Sequence, residues 1–163
     1  MPINPTGFCK LYVLAPYAAW CEDELCEWKA LATAGGINAL VEHALRAANP
    51  TDPIDTPAYK QKLGDYRKNL GCPVEHQHIR YVVETYKHVE LKNSGKVPDS
   101  FDTIQEQQAG AFSPAFSSAF DVVRPQLGFP FDDGTGAVPS WIPLRRPVEK
   151  CIAYWKGHLG LRD

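Results

Sequence analysis

The chain has 163 residues, of which 44% are hydrophobic and 22% are charged, and its net charge is −2. This length is sufficient for one domain with its own core. The near-zero net charge excludes a polyanion-binding protein and a disordered acidic tail as descriptions of the whole chain. No run of residues approaches the roughly 20 apolar residues of a membrane span, and no signal-peptide pattern is present. We therefore predict a cytoplasmic protein that does not contact a membrane.

The cysteines indicate a reducing compartment. There are five of them, an odd number, and their spacing is irregular. A framework of structural disulfides would normally use an even number at regular spacing, so we predict five free thiols. The five are Cys9, Cys21, Cys26, Cys72 and Cys151.

The first third of the chain is predicted to be largely helical. Residues 1–15 fit either a short strand or a first helix that ends at Pro16. Apolar residues then follow helical spacing, and Gly35-Gly36 is predicted to break or kink this helix. A second helix with an apolar stripe from Ile37 to Ala48 follows, and Asn49-Pro50 ends it. The stripe of the first helix comprises Tyr17, Trp20, Cys21, Leu25, Trp28, Leu31 and Ala32.

A third helix is predicted to begin after Thr56, which suits an N-cap, with Pro57 at the first helical position. Gly71 is predicted to close it as a C-cap glycine. Charge is uneven along this part of the chain. Residues 1–55 carry three basic and seven acidic side chains, whereas residues 56–96 carry eight basic and four acidic ones. The plainer interpretation is that basic and acidic helices pack beside each other, and the alternative is a basic surface for nucleic acid.

Residues 72–91 predict a fourth helix with two unlike faces. Apolar residues at spacings of three and four share the face that is expected to be buried, namely Ile79, Val82, Val83, Tyr86 and Val89. The opposite face carries Arg80, Glu84, Lys87 and His88. Arg80 and Lys87 lie within about 20° of each other around the helix axis. We expect a compact charged cluster on a helix whose other side is packed in the core.

Residues 101–146 are richer in proline and glycine. Phe112, Phe116 and Phe120 recur every four residues. Packing of these rings on the bundle is the plainer interpretation, and contact with a ligand or partner is the alternative. Asp132-Asp133-Gly-Thr-Gly is predicted to be a hairpin turn between strands at 126–131 and 137–144. A last helix has the apolar stripe Val148, Cys151, Ile152, Trp155 and Leu159, with Gly160 at its end.

Together these elements predict a mainly α protein with a single domain over residues 1–163. A bundle of four or five helices includes residues 16–92. A loop and β-hairpin insert occupies residues 93–146, before the C-terminal helix at 147–160. Five rings of the insert are the candidate binding residues for a partner: Phe112, Phe116, Phe120, Phe129 and Phe131.

The fourth helix resembles that of a set of small bacterial and phage proteins with an Arg-Asp-(Ile/Val)-Ala-x-Ala-x-Lys-His helix. The matching residues are Ile79, Arg80, Val82, Lys87, His88 and Leu91, whereas Tyr81, Val83 and Thr85 depart from the pattern. The resemblance spans residues 20–95 and 145–160. The set is distantly similar to HEPN-type helical bundles, which include ribonucleases. Those enzymes place four to six residues between an Arg and a His, and here seven separate Arg80 from His88.

Three chemistries follow from the candidate residues. Metal-independent RNA cleavage would use His88 as the general base with Arg80 or Lys87 beside the phosphate, and Glu84 would orient or neutralise these groups. The simpler alternative is a solvated set of i,i+4 and i,i+3 ion pairs. Cys72, His76 and His78 are zinc-type donors, but His76 and His78 lie about 200° apart on a helix, so we predict no metal site. No nucleophile elbow or phosphate-binding loop is present.

These patterns favour a non-catalytic helical binding protein of a prokaryote or phage that acts through protein–protein contact and needs no cofactor. The absence of a complete catalytic motif is the main reason. The alternative is an HEPN-like metal-independent ribonuclease or nucleic-acid-binding subunit that uses the basic residues 56–96.

Overall fold

Helices make up most of the computed structural model, which describes residues 4–87, 105–108, 125–131 and 140–161. Helix α1 (Pro5–Cys9) continues through a π-helical segment (Lys10–Leu14) into α2 (Ala15–Glu22). The next helices are α3 (Glu27–Ala48), α4 (Pro57–Lys68) and α5 (Pro73–Lys87). Three strands follow, β1 (Gln105–Gln108), β2 (Pro125–Phe131) and β3 (Ser140–Pro143), and α6 (Arg145–His158) is the last helix. The predicted mainly α class is confirmed, while the HEPN-like relationship stays a prediction.

The strands form one antiparallel sheet in the order β1-β2-β3. Leu127 pairs with Glu106 on one side, and Phe129 pairs with Ile142 on the other. The antiparallel pairing of β2 with β3 confirms the two strands of the predicted hairpin before the last helix, and its predicted turn, residues 132–136, lies outside the described residues. Strand β1 was not predicted, because its sequence Gln-Glu-Gln-Gln has no apolar alternation to mark a strand.

The core lies between α3, α5 and α6, and β2 closes one side of it. Each of these elements places aliphatic or aromatic side chains at helical or alternating spacing toward the others. The predicted buried stripe of α5 is confirmed at Ile79, Val82 and Val83, while the side chain of Tyr86 and the whole of Val89 lie outside the described residues. The predicted stripe of α6 is confirmed, except that Leu159 is only half-buried. The buried residues of these elements include Ile37, Leu40, Val41, Ile79, Val82, Val83, Leu127, Phe129, Val148, Cys151, Ile152 and Trp155.

Two helix ends follow the sequence signals. The hydroxyl of Thr56 accepts a hydrogen bond of 3.1 Å from the N–H of Tyr59, so it is the N-cap of α4 as predicted. At the end of α6, Gly160 has φ +65°, a conformation that glycine adopts without steric cost. The N–H of Leu161 donates to the carbonyl of Lys156 at 2.8 Å, which completes a Schellman motif.

Three predictions about helix ends are wrong. Pro16 does not end the first helix, because the chain stays helical from Pro5 to Glu22. The break comes at residues 23–26, and α3 runs through Gly35-Gly36 without interruption. Gly71 does not cap α4, since Asn69 holds that position. A Cβ on Gly71 would lie 2.7 Å from the ring of Tyr154, so this glycine leaves room for that ring.

None of the helices in the described ranges has both the length and the hydrophobicity needed to cross a bilayer.

Candidate functional site

Helix α5 has the two faces that its sequence predicts. Val82 and Val83 are buried on one side, while Arg80 is exposed on the other and pairs with Glu84. The Nε atom of Arg80 lies 2.5 Å from a carboxylate oxygen of Glu84, one turn later. The side chain of Lys87 and the whole of His88 lie outside the described residues. Of the four catalytic candidates, the structure therefore brings Arg80 and Glu84 together.

His76 lies one turn before Arg80 on α5, so the two residues share a side of the helix. The His76 side chain is only 2% exposed, and its Nε2 atom has no hydrogen-bond partner within the described part of the chain. Burial lowers the pKa of His76, the positive charges of Arg67 and Arg80 act in the same direction, and together they bring it to about 4. His76 is therefore neutral at pH 7.

Arg67, in the last turn of α4, is the third basic residue near His76 and Arg80. Its Nε atom is buried without a hydrogen-bond partner, and it makes no ion pair with any residue that the structure describes. Burial lowers the pKa of Arg67, and the neighbouring charge of Arg80 adds to this effect. We call Arg67, His76, Arg80 and Glu84 the α4–α5 polar cluster.

The α4–α5 polar cluster is better suited to binding an anion than to transferring a proton. A histidine with a pKa near 4 is a weak general base at neutral pH. The guanidinium group of Arg67, by contrast, keeps donors that suit an anionic oxygen. Sequence reasoning overlooked Arg67, because nothing local links α4 to α5. It considered His76 only as a zinc-type donor, and it did not use the i,i+4 spacing between His76 and Arg80.

The three zinc-type donors do not converge. Cys72 contacts Cys151 in the core, His76 belongs to the α4–α5 polar cluster, and His78 packs against aromatic rings. Within the described ranges, no group of three or more His, Cys, Asp or Glu side chains is placed to hold a metal ion.

Two of the five candidate binding rings are described, and both pack on α5. Phe129 is fully buried, so its ring is part of the core and is not accessible to a partner. Phe131 is half-buried, with its ring centroid 4.6 Å from that of His78 and 5.3 Å from that of Tyr81. Phe112, Phe116 and Phe120 lie outside the described residues.

A groove of about 420 Å³ lies between α2 and α6. Its carboxylate, Glu149, accepts hydrogen bonds from the hydroxyl of Tyr17 at 2.8 Å and from Nε of Arg145 at 2.7 Å. The Arg145 guanidinium holds the pKa of Glu149 below its usual value, and Arg145 also pairs with Glu24. Because these side chains bind each other, we interpret the groove as a structural contact between the two helices.

Exposed apolar side chains occur at a different place. Trp28 is 70% exposed at the start of α3, and Ala32 and Ala39 are exposed on the same side of this helix. We call Trp28, Ala32 and Ala39 the outer face.

The sequence placed Trp28 and Ala32 in a buried stripe, and that prediction is wrong. The stripe assumed one continuous helix from Tyr17 to Ala32, whereas the chain turns at residues 23–26. The turn changes the phase between the two helices, so Trp20 faces the core and Trp28 faces solvent.

A comparison of this chain with protein families, curated proteins and solved structures finds no match in any of the three.

Proposed function

We propose that the chain is a non-catalytic interaction protein that binds a partner protein through its outer face. The exposure of Trp28 carries this proposal. A tryptophan that leaves most of its ring in water has little part in the core, whereas buried tryptophans commonly dominate binding energies at protein interfaces. Ala32 and Ala39 extend the exposed surface beside it on α3, and their small side chains suit the close approach of a second backbone.

The pairing of the basic residues also supports a protein partner. Lys62 lies 2.8 Å from Asp52, Lys68 lies 3.7 Å from Asp65, and Arg80 pairs with Glu84. Positive charge that is neutralised locally gives a weak electrostatic attraction for a phosphate backbone, since such binding depends on uncompensated cations. Five basic side chains of residues 56–96 are described, and three of them, Lys62, Lys68 and Arg80, are thus paired with carboxylates.

The charges around Trp28 indicate the chemistry of the partner. Glu22 and Glu27 flank the turn that leads into α3, and both are exposed. Neither forms an ion pair with another described residue. We therefore propose that the partner presents an amphipathic helix, with an aliphatic stripe against the outer face and Lys or Arg side chains beside it.

The test is site-specific crosslinking. A photo-reactive phenylalanine analogue at position 32 should crosslink one partner protein in host lysate, and the same analogue at Val74 should not. Val74 is a matched control because it is also an exposed aliphatic side chain, on the first turn of α5. We expect Trp28→Ala to weaken binding of that partner about 30-fold or more, as at interface hot spots.

A second pair of variants separates binding from stability. Ala32→Arg should abolish binding, Val74→Arg should preserve it, and both should keep the unfolding free energy within about 0.5 kcal/mol of wild type, as is usual at exposed sites. If the partner crosslinks equally from position 74, or binds Trp28→Ala and Ala32→Arg as tightly as wild type, the outer face is not the interface.

The second candidate function is contact with RNA, and the guanidinium of Arg67, which has no ion pair with a described residue, favours it. Beside Arg80, this group would bind one backbone phosphate. Arg67→Gln should then weaken the binding of an RNA oligonucleotide. It should also make the binding constant less dependent on salt concentration, by about the amount that one phosphate contact contributes. Cleavage would in addition need His88, and His88→Ala should reduce it about 100-fold. Fluorescence anisotropy and gel assays on both variants measure these effects, and equal binding by Arg67→Gln would exclude this site.

A further inference from the structure

Two cysteine thiols meet in the core between α5 and α6. Cys72 directly precedes α5, and Cys151 lies in the middle of α6. Their sulfur atoms are 3.7 Å apart, which is hydrogen-bonding contact for thiols. Cys151 is fully buried, and Cys72 is 5% exposed at the corner between α4 and α5. Residues 79 positions apart in sequence thus present two reactive groups to each other.

The two sulfurs are not equivalent. The hydrogen bond with Cys151 lowers the pKa of the Cys72 thiol, whereas the same bond and burial raise the pKa of the Cys151 thiol. Cys72 is therefore the sulfur that ionises first, and it is also the more exposed of the two. A thiolate that lies next to a second thiol is the usual arrangement of a nucleophilic cysteine and its resolving cysteine.

We propose that Cys72 and Cys151 form an oxidative modification site that hydrogen peroxide converts into an intramolecular disulfide. The Cys72 thiolate attacks one oxygen of the peroxide, the O–O bond breaks, and hydroxide leaves, which takes a proton to become water. Cys72 is then a sulfenic acid. The Cys151 sulfur attacks it, the S–O bond breaks, and a second water leaves with the Cys151 proton. Both sulfurs are oxidised, and one peroxide is reduced to two waters.

Distance and access both favour this reaction with a small oxidant. The sulfurs must move together by less than about 2 Å to reach the disulfide bond length of about 2.05 Å. Peroxide is little larger than water, so the slight exposure of Cys72 is enough for it after small local motions. A bulky disulfide such as oxidised glutathione could not reach either sulfur, because Cys72 is only 5% exposed and Cys151 is fully buried.

The bond would fix the start of α5 to α6. The backbone N–H of His76 donates to the carbonyl of Cys72 at 2.9 Å, so the disulfide would restrain a residue that is hydrogen-bonded to the α4–α5 polar cluster. The closed loop would also contain α5 and all three strands. Closure of a loop this long restricts the unfolded chain strongly, so the oxidised protein should melt about 10 °C higher than the reduced one.

The test uses the whole chain, reduced and then treated with hydrogen peroxide at neutral pH. Alkylation under denaturing conditions and peptide mapping by mass spectrometry should find the Cys72–Cys151 disulfide, and dithiothreitol should restore both the thiols and the lower melting temperature. In Cys151→Ala no bridge can form, so a dimedone-type reagent should trap the Cys72 sulfenic acid. A Cys9→Ser, Cys21→Ser, Cys26→Ser variant should form the bridge like wild type.

Two results would overturn the proposal. The first is that peroxide leaves Cys72 and Cys151 fully alkylatable while it oxidises the exposed Cys21. The second is a bridge that maps to another pair.

Discussion

His76 shows how one side chain can make the whole protein sensitive to pH. Its imidazole is buried beside two guanidinium groups, and its pKa is about 4 in the folded state. In the unfolded chain, an imidazole has a pKa near 6.5. Between these values the unfolded state binds a proton that the folded state does not. Acidification over this range therefore favours unfolding.

We predict that the unfolding free energy falls by about 3 kcal/mol at most as the pH decreases from about 6.5 to about 4, because each pKa unit corresponds to about 1.4 kcal/mol. Denaturant titrations over this range measure the effect. His76→Leu is the matched variant, since it keeps the neighbouring carboxylates and His78 but removes the buried imidazole. The unfolding free energy of wild type minus that of His76→Leu should decrease as the pH falls. A constant difference over this pH range would contradict the assignment.

The helical elements contact each other at one unusually close point. Pro16 has no N–H to donate to the carbonyl of Tyr12, and the preceding π-helical segment widens the helix at this point. Gly36 on α3 lies directly against that carbonyl, where a Cβ atom would be only 1.8 Å from the oxygen. A glycine that looks like a helix break in the sequence is thus required for helix packing.

We predict opposite effects for neighbouring glycines of α3. Gly36→Ala should destabilise the protein by roughly 2 kcal/mol or more, because the atom it meets is backbone and cannot rotate away. Gly35→Ala should stabilise it by up to about 1 kcal/mol, since a Cβ at that position meets nothing within 4 Å and alanine favours a helix. Urea unfolding measures both. Equal effects at the two positions would mean that the close contact with Tyr12 does not form.

At the scale of the whole molecule, the sheet is docked on the helical core. Leu127 and Phe129 of β2 are buried among residues of α5 and α6. The N–H of Leu144 donates to the carbonyl of Leu127 at 2.9 Å, which ties the start of α6 to the sheet. Because helices and strands share one cluster of buried side chains, we expect them to unfold together.

We predict that Phe129→Ala lowers the unfolding free energy by about 3–5 kcal/mol, the usual cost of removing a buried phenylalanine ring. Unfolding should remain a single transition when it is followed by far-ultraviolet circular dichroism and by tryptophan fluorescence. Two separated transitions, or a loss below about 1 kcal/mol, would show instead that the sheet is an independent attachment.

The sequence by itself determined the features that depend on neighbouring residues. The amphipathic stripes of α5 and α6, the Thr56 cap and the Gly160 end could be predicted, because helical spacing and capping involve positions within a few residues of each other. The same reasoning found the ion pair between Arg80 and Glu84, which are one turn apart.

Only the tertiary structure decided which residues from distant parts of the chain meet. No local pattern indicates that Arg67 lies near His76, that Cys72 touches Cys151, or that Gly36 admits the backbone of Tyr12. The exposure of Trp28 likewise depends on a turn that changes the phase of two helices. These contacts arise when packed helices satisfy one shared core, and the candidate sites of this protein are built mostly from them.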